Sequence, residues 1–432
     1  MTTTHDTPLQ AIESLVQSRA ASLSLDVDSP DGSDRLRELI DAAIGEWADE
    51  HQRGRRQIEL SDPDGVAARA FRNLASYGPL TSLLEDDDVW EIMVNAPDLI
   101  FVRRHSGGSH FHDEVFHDDD HVSRTITKLL DDSSSSHRKL DPTEGLQDAQ
   151  LDNGARIHIV HGDLSRGGHL MLNIRKFTGV AISRLDELVQ RGSLPEHAAD
   201  FLTAAVRSRL SIIFAGAPGS GKTTLLSCCA AELDPSQRVV IAEEVFEADV
   251  PMANVASMQT RPARNDRPEI DLRRLVAGFL RMAPDVAIVG EVRDREALPL
   301  LLTLSSGVTG YTTIHAGSAR SALTRLRFVA QLSDAARDLP VAALNNLVSE
   351  AVDLVVHTER GPHGPRVTSI IAVEDLSAGP DAVQFTTTEI FSRARDDAEL
   401  EWTELLPMRA GRQLERHGFD VRELCRAGRS AR

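Results

Sequence analysis

Cysteine and long apolar runs are scarce in this sequence. Two of its three cysteines, Cys228 and Cys229, are adjacent within a predicted helix, which indicates reduced core thiols rather than a disulfide framework. No run of about 18 apolar residues occurs, so the sequence predicts no membrane-spanning helix. The amino terminus, "MTTTHDTPLQ", lacks the basic and apolar segments of a signal peptide. We therefore expect a cytoplasmic protein whose contact with a membrane is peripheral.

Positive charge is also scarce, because 47 lysines and arginines face 66 aspartates and glutamates and leave a formal charge of −19. A broad electrostatic grip on nucleic acid is therefore not expected. The chain has 432 residues, of which 41% are hydrophobic and 26% charged, as in a soluble globular protein of two or three domains.

Three regions follow one another along the chain, and together they predict an α/β protein. Residues 1–76 form a helical amino-terminal extension, with apolar residues at three- and four-residue spacing and Ser33 as the expected cap of its second helix. Residues 77–180 form a small α/β domain with strands at "VWEIMVN", "LIFVRR", "ARIHIVH" and "HLMLNIRKF". In residues 181–432 strands alternate with helices, which predicts a mostly parallel sheet with both faces covered.

The segment "GAPGSGKT" (216–223) follows the apolar strand "SIIFAG" and precedes a helix, which is the context that a phosphate-binding loop requires. Glycines let the backbone N–H groups curl around phosphate oxygens, and the helix adds its positive end. Lys222 is expected to reach the β- and γ-phosphates, and the Thr223 hydroxyl to ligate magnesium. The alternative is a glycine-rich turn that only links strand to helix. The predicted nucleotide-binding residues here are Gly216, Ala217, Pro218, Gly219, Ser220, Gly221, Lys222, Thr223 and Thr224.

Acidic residues end two further apolar strands. "RVVIAEE" ends at Glu243 and Glu244, and "VAIVGE" ends at Glu291. Each could be a solvated strand-end glutamate. Together with a phosphate loop they instead indicate two roles, one carboxylate polarising the attacking water and the other holding magnesium through its water shell.

Histidine and arginine supply further candidates. His315 ends the strand-like segment "TTIHAGS", where it is either structural or a sensor of the γ-phosphate. The run "HFHDEVFHDDDH" (110–121) lacks ligand spacing and predicts no metal site. Most arginines around 261–281 are expected to be solvated or ion-paired, with one or two available to a nucleotide in a neighbouring subunit. These arginines are Arg261, Arg264, Arg267, Arg273, Arg274 and Arg281.

Over residues 70–360 the sequence resembles the hexameric ATPases of type II and type IV secretion and pilus assembly, and most of all the CpaF/TadA branch that powers tight-adherence (Flp-type) pili. The matching segments occur in the family's order: "YGPLTSLLEDDDVWEIMVNAPDLIFV", "NGARI", "NIRKF", the phosphate loop, "RVVIAEE", "TRP", "RMAPDVAIVGEVRDREAL" and "TTIHAGSARSALTRL".

The resemblance implies a RecA-like ATPase domain, a PAS-like amino-terminal domain, and a ring of six copies that acts on an inner-membrane platform protein. It implies ATP and Mg²⁺ as ligands, while the acidic charge of the chain argues against direct contact with nucleic acid. Glu243 would be the catalytic glutamate, Glu291 the Walker B acid beside the metal, and His315 the residue facing the γ-phosphate. Arg156 and Arg175 match arginines that close over the phosphates.

Two departures from the family pattern stand out. Glu244 occupies a position where aspartate is usual, and Val308 replaces a histidine in the segment before His315. Gly290, by contrast, fits the family's spacing, with the acid one residue later. The sequence therefore predicts an ATP-driven motor for pilus assembly or secretion. The alternatives are a conjugation-type ATPase moving DNA–protein cargo and a nucleotide-binding scaffold with little hydrolysis.

Overall fold

The computed structural model describes residues 7–27, 29–104, 108–133, 139–176, 182–261, 268–361, 364–375, 384–395 and 398–426. The chain divides into two compact units, Met1–Val180 and Ala181–Arg432. Within the described ranges no helix is both long and apolar enough to cross a membrane. Cys228, Cys229 and Cys425 are buried free thiols.

The first unit begins with three helices that share a small apolar core. They are α1 (Pro8–Ser22), α2 (Pro30–Gln52) and α3 (Pro63–Ala75). Ile12, Leu36 and Ile40 lie at the centre of this core. Helix α2 begins earlier than the sequence predicts, because Ser29 and not Ser33 caps it: the Ser29 hydroxyl accepts a hydrogen bond from the N–H of Gly32. Pro30 suits the first helical position, which has no intrahelical use for an N–H.

The rest of the first unit is a six-stranded antiparallel sheet in the order β3–β2–β1–β6–β5–β4, packed against two helices. The strands are β1 (Val89–Ala96), β2 (Leu99–Arg104), β3 (Ser109–Phe111), β4 (Leu146–Gln150), β5 (Arg156–Val160) and β6 (Met171–Arg175). The helices are α4 (Thr81–Glu85) and α5 (Asp119–Asp131). Val122 and Ile126 of α5 join Ile92 and Ile174 of the sheet in one core.

The histidine-rich run has structural partners. His117 Nε2 lies 2.7 Å from Glu13 Oε2, and the His121 ring meets Phe116 edge-on. Burial lowers the pKa of His121 to about 4. In the part of the chain that the structure describes, no group of three or more His, Cys, Asp and Glu side chains is arranged to hold a metal ion.

The second unit is built on a nine-stranded sheet in the order β15–β14–β13–β12–β7–β11–β10–β8–β9. The strands are β7 (Ile212–Gly216), β8 (Val239–Glu243), β9 (Val255–Gln259), β10 (Val286–Val289), β11 (Thr309–Ile314), β12 (Leu354–Gly361), β13 (Gly364–Val373), β14 (Thr387–Arg393) and β15 (Leu400–Trp402). From β12 to β9 the strands are parallel, and β13 to β15 add antiparallel strands beyond β12.

Helices cover both faces of this sheet. They are α6 (Leu185–Gln190), α7 (Glu196–Arg207), α8 (Lys222–Ala230), α9 (Leu272–Val276), α10 (Ala297–Ser305), α11 (Ala319–Gln331), α12 (Val341–Ala351), α13 (Met408–Arg416) and α14 (Val421–Cys425). Strand β7 shows how the two cores arise: Ile212 and Phe214 face the core under α7 and α8, while Ile213 and Ala215 face the core under α10 and α11. A strand buried on both faces reads as a continuous apolar run, which is why the sequence reveals it.

The strand order places the predicted site residues at one edge of the sheet. Strand β7 lies between β12 and β11, and β10 and β8 follow in order, which is a RecA-like arrangement. Because β7, β11, β10 and β8 run parallel, their carboxyl ends meet at the same edge.

Candidate nucleotide site

The loop between β7 and α8 has the backbone of a phosphate cradle. Gly216, Gly219 and Gly221 have φ values of 155°, 72° and 86°, which favour glycine over any residue with a Cβ. Gly221 is the left-handed cap before α8, which begins at Lys222. Backbone N–H groups at this helix start, with its positive end, suit an anionic group.

Lys222 and His315 meet in front of this loop. The Lys222 ammonium donates to Ala217 O at 2.9 Å and lies 3.2 Å from His315 Nδ1. His315 Nε2 lies 2.9 Å from Glu291 Oε1. His315 Nδ1 also lies 3.2 Å from Gly216 O, which only accepts, so Nδ1 either accepts from Lys222 or donates to Gly216 O while Nε2 faces the Glu291 carboxylate. Predicted residues at the start of α8 and just after β11 and β10 therefore form one connected polar network.

Arg293, which the sequence analysis did not single out, completes this network. Its guanidinium donates from Nε to Glu291 Oε1 at 2.7 Å and from Nη2 to Glu291 Oε2 at 2.8 Å, a bidentate pair. Its Nη1 donates to Glu244 Oε2 at 3.0 Å. Arg293 thus bridges the carboxylates of Glu244 and Glu291.

The same contacts determine the charge of Glu291. Burial would raise the pKa of its carboxyl, but hydrogen bonds from His315 and Arg293 outweigh burial and lower the pKa to about 2. The hydrogen bond to Glu291 in turn raises the pKa of Arg293. Glu291 is therefore a carboxylate near neutral pH and a weak base, which suits an electrostatic role better than proton abstraction.

Glu243 lies at the end of β8, but its environment differs from that of Glu291. Its side chain is only 2% exposed, and its Oε1 accepts hydrogen bonds from the backbone N–H groups of Glu247 at 3.0 Å and Ala248 at 2.9 Å. Glu243 therefore organises the loop that follows β8.

That loop brings Glu247 to the phosphate-binding helix. Thr223 Oγ1 donates to Glu247 Oε2 at 3.5 Å, so a carboxylate that the sequence analysis missed lies beside the hydroxyl expected to ligate magnesium. The only sequence signal was a third glutamate in "EEVFE", four residues after Glu243 and outside any regular element.

Gly290 fits tightly against Glu243. A Cβ at position 290 would lie 2.8 Å from Glu243 Cγ and 3.0 Å from its Oε1. The glycine between the apolar strand and Glu291 thus makes room for the buried glutamate of the neighbouring strand, which is a packing reason for the "GE" spacing.

The predicted arginines and Val308 belong to other elements of the fold. In the first unit, Arg156 and Arg175 are directly opposite each other on β5 and β6, and Glu91 lies across from Arg175 on its other side.

In the second unit Arg273 and Arg274 belong to α9, Arg281 follows it, and Arg261 pairs with Ile270 in an isolated bridge. Arg264 and Arg267 lie outside the described residues. Val308, the second departure from the family pattern, packs against the apolar core below α10 and α11.

The RecA-like strand order, the glycine cradle with Lys222 and Thr223, and the acidic residues at neighbouring strand ends define a P-loop nucleoside triphosphatase. The model of one family, described as "Type II/IV secretion system protein", matches residues 73–359. The chain belongs to this family.

Individual relatives agree with that assignment. The chain is 35% identical over 237 residues to the "Probable conjugal transfer protein TrbB" of Sinorhizobium fredii, covering 51% of this chain and 69% of the relative. It is 30% identical over 304 residues to the "Type IV secretion system protein PtlH" of Bordetella pertussis, covering 64% and 87%. Among solved structures it is similar to the VirB11 ATPase of the Brucella suis type IV secretion system in complex with sulphate: 26% identity, 68% and 94% coverage, and a TM-score of 0.37.

Proposed function

We propose that this chain hydrolyses ATP as one subunit of a hexameric cytoplasmic ring, and that the ring drives pilus assembly or protein secretion through an inner-membrane platform protein. The observation that carries the proposal is the network joining Lys222, His315 and Glu291 in front of a glycine cradle. Lys222 begins α8, His315 follows β11 and Glu291 follows β10, and in this proposal they act as phosphate ligand, sensor and acid.

The residues present fit a nucleotide with Mg²⁺. The Thr223 hydroxyl, 3.5 Å from the Glu247 carboxylate, and the ionised Glu291 each offer oxygen atoms, the ligands that Mg²⁺ prefers. When bound, the ion would neutralise charge on the β- and γ-phosphates. Thr223 would hold it directly and Glu291 through water. The ammonium of Lys222 and the backbone N–H groups of 217–221 would hold the phosphates.

Glu247 is our choice for the residue that orients and deprotonates the attacking water. Glu243, to which the resemblance assigned this role, has Oε1 committed to two backbone N–H groups and is almost fully buried. Glu291 is too weak a base because its pKa is about 2. We therefore assign Glu243 to positioning the Glu247 loop, and Glu291 to the metal's surroundings.

Arg156 and Arg175 are kept as proposed phosphate ligands. They lie directly opposite each other on neighbouring strands, so one anionic group could contact both. In this proposal, nucleotide binding and release change the position of the first unit, and that movement acts on the platform protein.

The cargo has two candidates. The motif order resembles ATPases of Flp-type pili, which favours pilin subunits. The similarity to a probable conjugal transfer protein and to PtlH favours a type IV secretion machine as the second candidate. Co-purification of the chain with a pilin-assembly platform protein or with a conjugation coupling complex from its host would decide between them.

Phosphate release by the purified full chain, measured against protein concentration, tests the ring motor. A ring should show a specific activity that rises as subunits assemble, and Lys222→Ala should abolish both hydrolysis and pilus or secretion output. Nucleotide binding with negligible hydrolysis at every concentration would instead show a scaffold and refute the motor.

A further inference from the structure

Strand β12 pairs with β7, and its residue Thr358 contacts the phosphate loop. Thr358 is paired with Gly216 in the strand register. Its Oγ1 donates to Ala215 O at 3.2 Å and lies 2.9 Å from the Oγ of the fully buried Ser220. A hydroxyl has one proton, so a Thr358 that donates to Ala215 O accepts the proton of Ser220. One hydroxyl thus connects the end of β7 with the middle of the loop.

The hairpin β12–β13 also limits the backbone of the loop sterically. A Cβ at Gly216 would lie 2.2 Å from Thr358 O, and a Cβ at Gly221 would lie 2.8 Å from Pro365 Cβ. Arg360 Nη1 donates to Gly219 O at 3.4 Å. Gly216 and Gly221 are therefore needed for contact with this hairpin, in addition to their positive φ values.

The preceding residue, His357, contacts the loop between β11 and α11, which contains His315 and lies on the other side of β7. Its Nε2 lies 3.3 Å from Ala316 O, and its Nδ1 lies 2.7 Å from Thr368 Oγ1. Burial lowers the pKa of His357, so the ring is neutral near neutral pH. A neutral ring that donates from Nε2 to Ala316 accepts from Thr368 at Nδ1, which satisfies both ring nitrogens.

From this geometry we propose that Thr358 and His357 are positioning residues of the nucleotide site: Thr358 holds the phosphate loop through Ser220, and His357 holds His315 through the carbonyl of Ala316. Neither side chain is assigned a contact with the nucleotide. Two adjacent residues of one strand thus align the phosphate cradle with the γ-phosphate sensor. The inference rests on the proposed function, because it assumes that this edge binds and hydrolyses nucleotide.

Thr358 should affect the affinity for nucleotide, and His357 should affect kcat. Thr358→Val keeps the shape but leaves the buried Ser220 hydroxyl without this acceptor, so we expect binding of a fluorescent ADP analogue to weaken by about 5- to 20-fold. Thr358→Ser should restore most of the affinity.

His357→Leu should lower kcat by about 10-fold with KM within about twofold, because the substitution moves His315 and leaves the phosphate loop in place. His357→Gln should recover part of kcat, since an amide can donate to Ala316 O.

Ser369→Ala is the matched control, since Ser369 lies on the same hairpin and donates to the exposed Glu389. It should leave affinity and kcat unchanged. Thermal unfolding of every variant shows whether the fold is retained. Wild-type affinity in Thr358→Val, equal loss in Thr358→Ser, or wild-type kcat in His357→Leu would each overturn the corresponding assignment. The Thr358 assay needs no hydrolysis, and the His357 assay compares kcat with that of the wild type, so a wild type without turnover refutes the motor proposal and leaves the Thr358 test in force.

Discussion

The ends of strands β8 and β10 look alike in the sequence and differ in the structure. Each is a buried apolar strand followed by a glutamate, yet Glu243 is almost fully buried and bonded to backbone N–H groups, whereas Glu291 is bonded to His315 and Arg293. One carboxylate therefore shapes a loop and the other belongs to a charged network. An acidic residue at a strand end becomes a functional candidate through the groups that face it, and its position alone does not decide its role.

The largest expected effect distinguishes Glu243, the last residue of β8, from Glu247 in the loop that follows. Glu247→Gln should lower kcat by about 100- to 10,000-fold, the range for loss of a general base, while nucleotide affinity changes little. Glu243→Gln should have a much smaller effect, because the amide oxygen can still accept the N–H groups of Glu247 and Ala248. Steady-state phosphate release with both variants is the measurement. A Glu243→Gln variant as inactive as Glu247→Gln would return the catalytic role to Glu243.

The β10 end should show a smaller loss of activity. Glu291→Gln removes the charge that Arg293 and His315 hold in place, and we expect kcat to fall by about 10- to 100-fold, as for residues that orient a metal's ligands. Binding of a fluorescent nucleotide analogue should remain largely intact. Normal turnover in the purified variant would contradict the metal-supporting role.

Local sequence patterns predicted much of the site and little of how its parts connect. The phosphate loop was predictable because strand, glycines, Lys222 and helix are contiguous. The contact between His357 and Ala316 joins residues 41 positions apart, and no pattern within β12 indicates it.

Two residues of the candidate site were missed because their contacts depend on three-dimensional geometry that the sequence does not show. Glu247 was missed because its position depends on how Glu243 holds an irregular loop, and Arg293 because its importance lies in a bidentate geometry that residue spacing does not show. The start of α2 was misplaced for a local reason: Ser33 and Ser29 are both acceptable caps, and Pro30 decides between them.

Gly290 connects the two strand ends, so Gly290→Ala tests whether they depend on each other. The added methyl would lie 2.8 Å from Glu243 Cγ and should displace that side chain, at a cost of about 1–3 kcal/mol in the free energy of unfolding. Chemical denaturation of both proteins measures this cost. Gly317→Ala is a control, because nothing lies within 4 Å of a Cβ there. Equal stability of Gly290→Ala and the wild type would show that Glu243 is not tightly packed.

The smallest expected effect concerns the pH dependence of stability. Burial disfavours the ionised Glu291, but hydrogen bonds from His315 and Arg293 lower its pKa from the usual 4.5 to about 2 in the folded chain. The unfolded chain therefore takes up the proton first. The stabilisation is complete above about pH 4.5 and is lost as the pH falls towards 2. Urea denaturation between these values should show a shallower loss of stability in Glu291→Gln than in the wild type. Identical slopes in Glu291→Gln and the wild type would mean that His315 and Arg293 do not favour the ionised carboxylate.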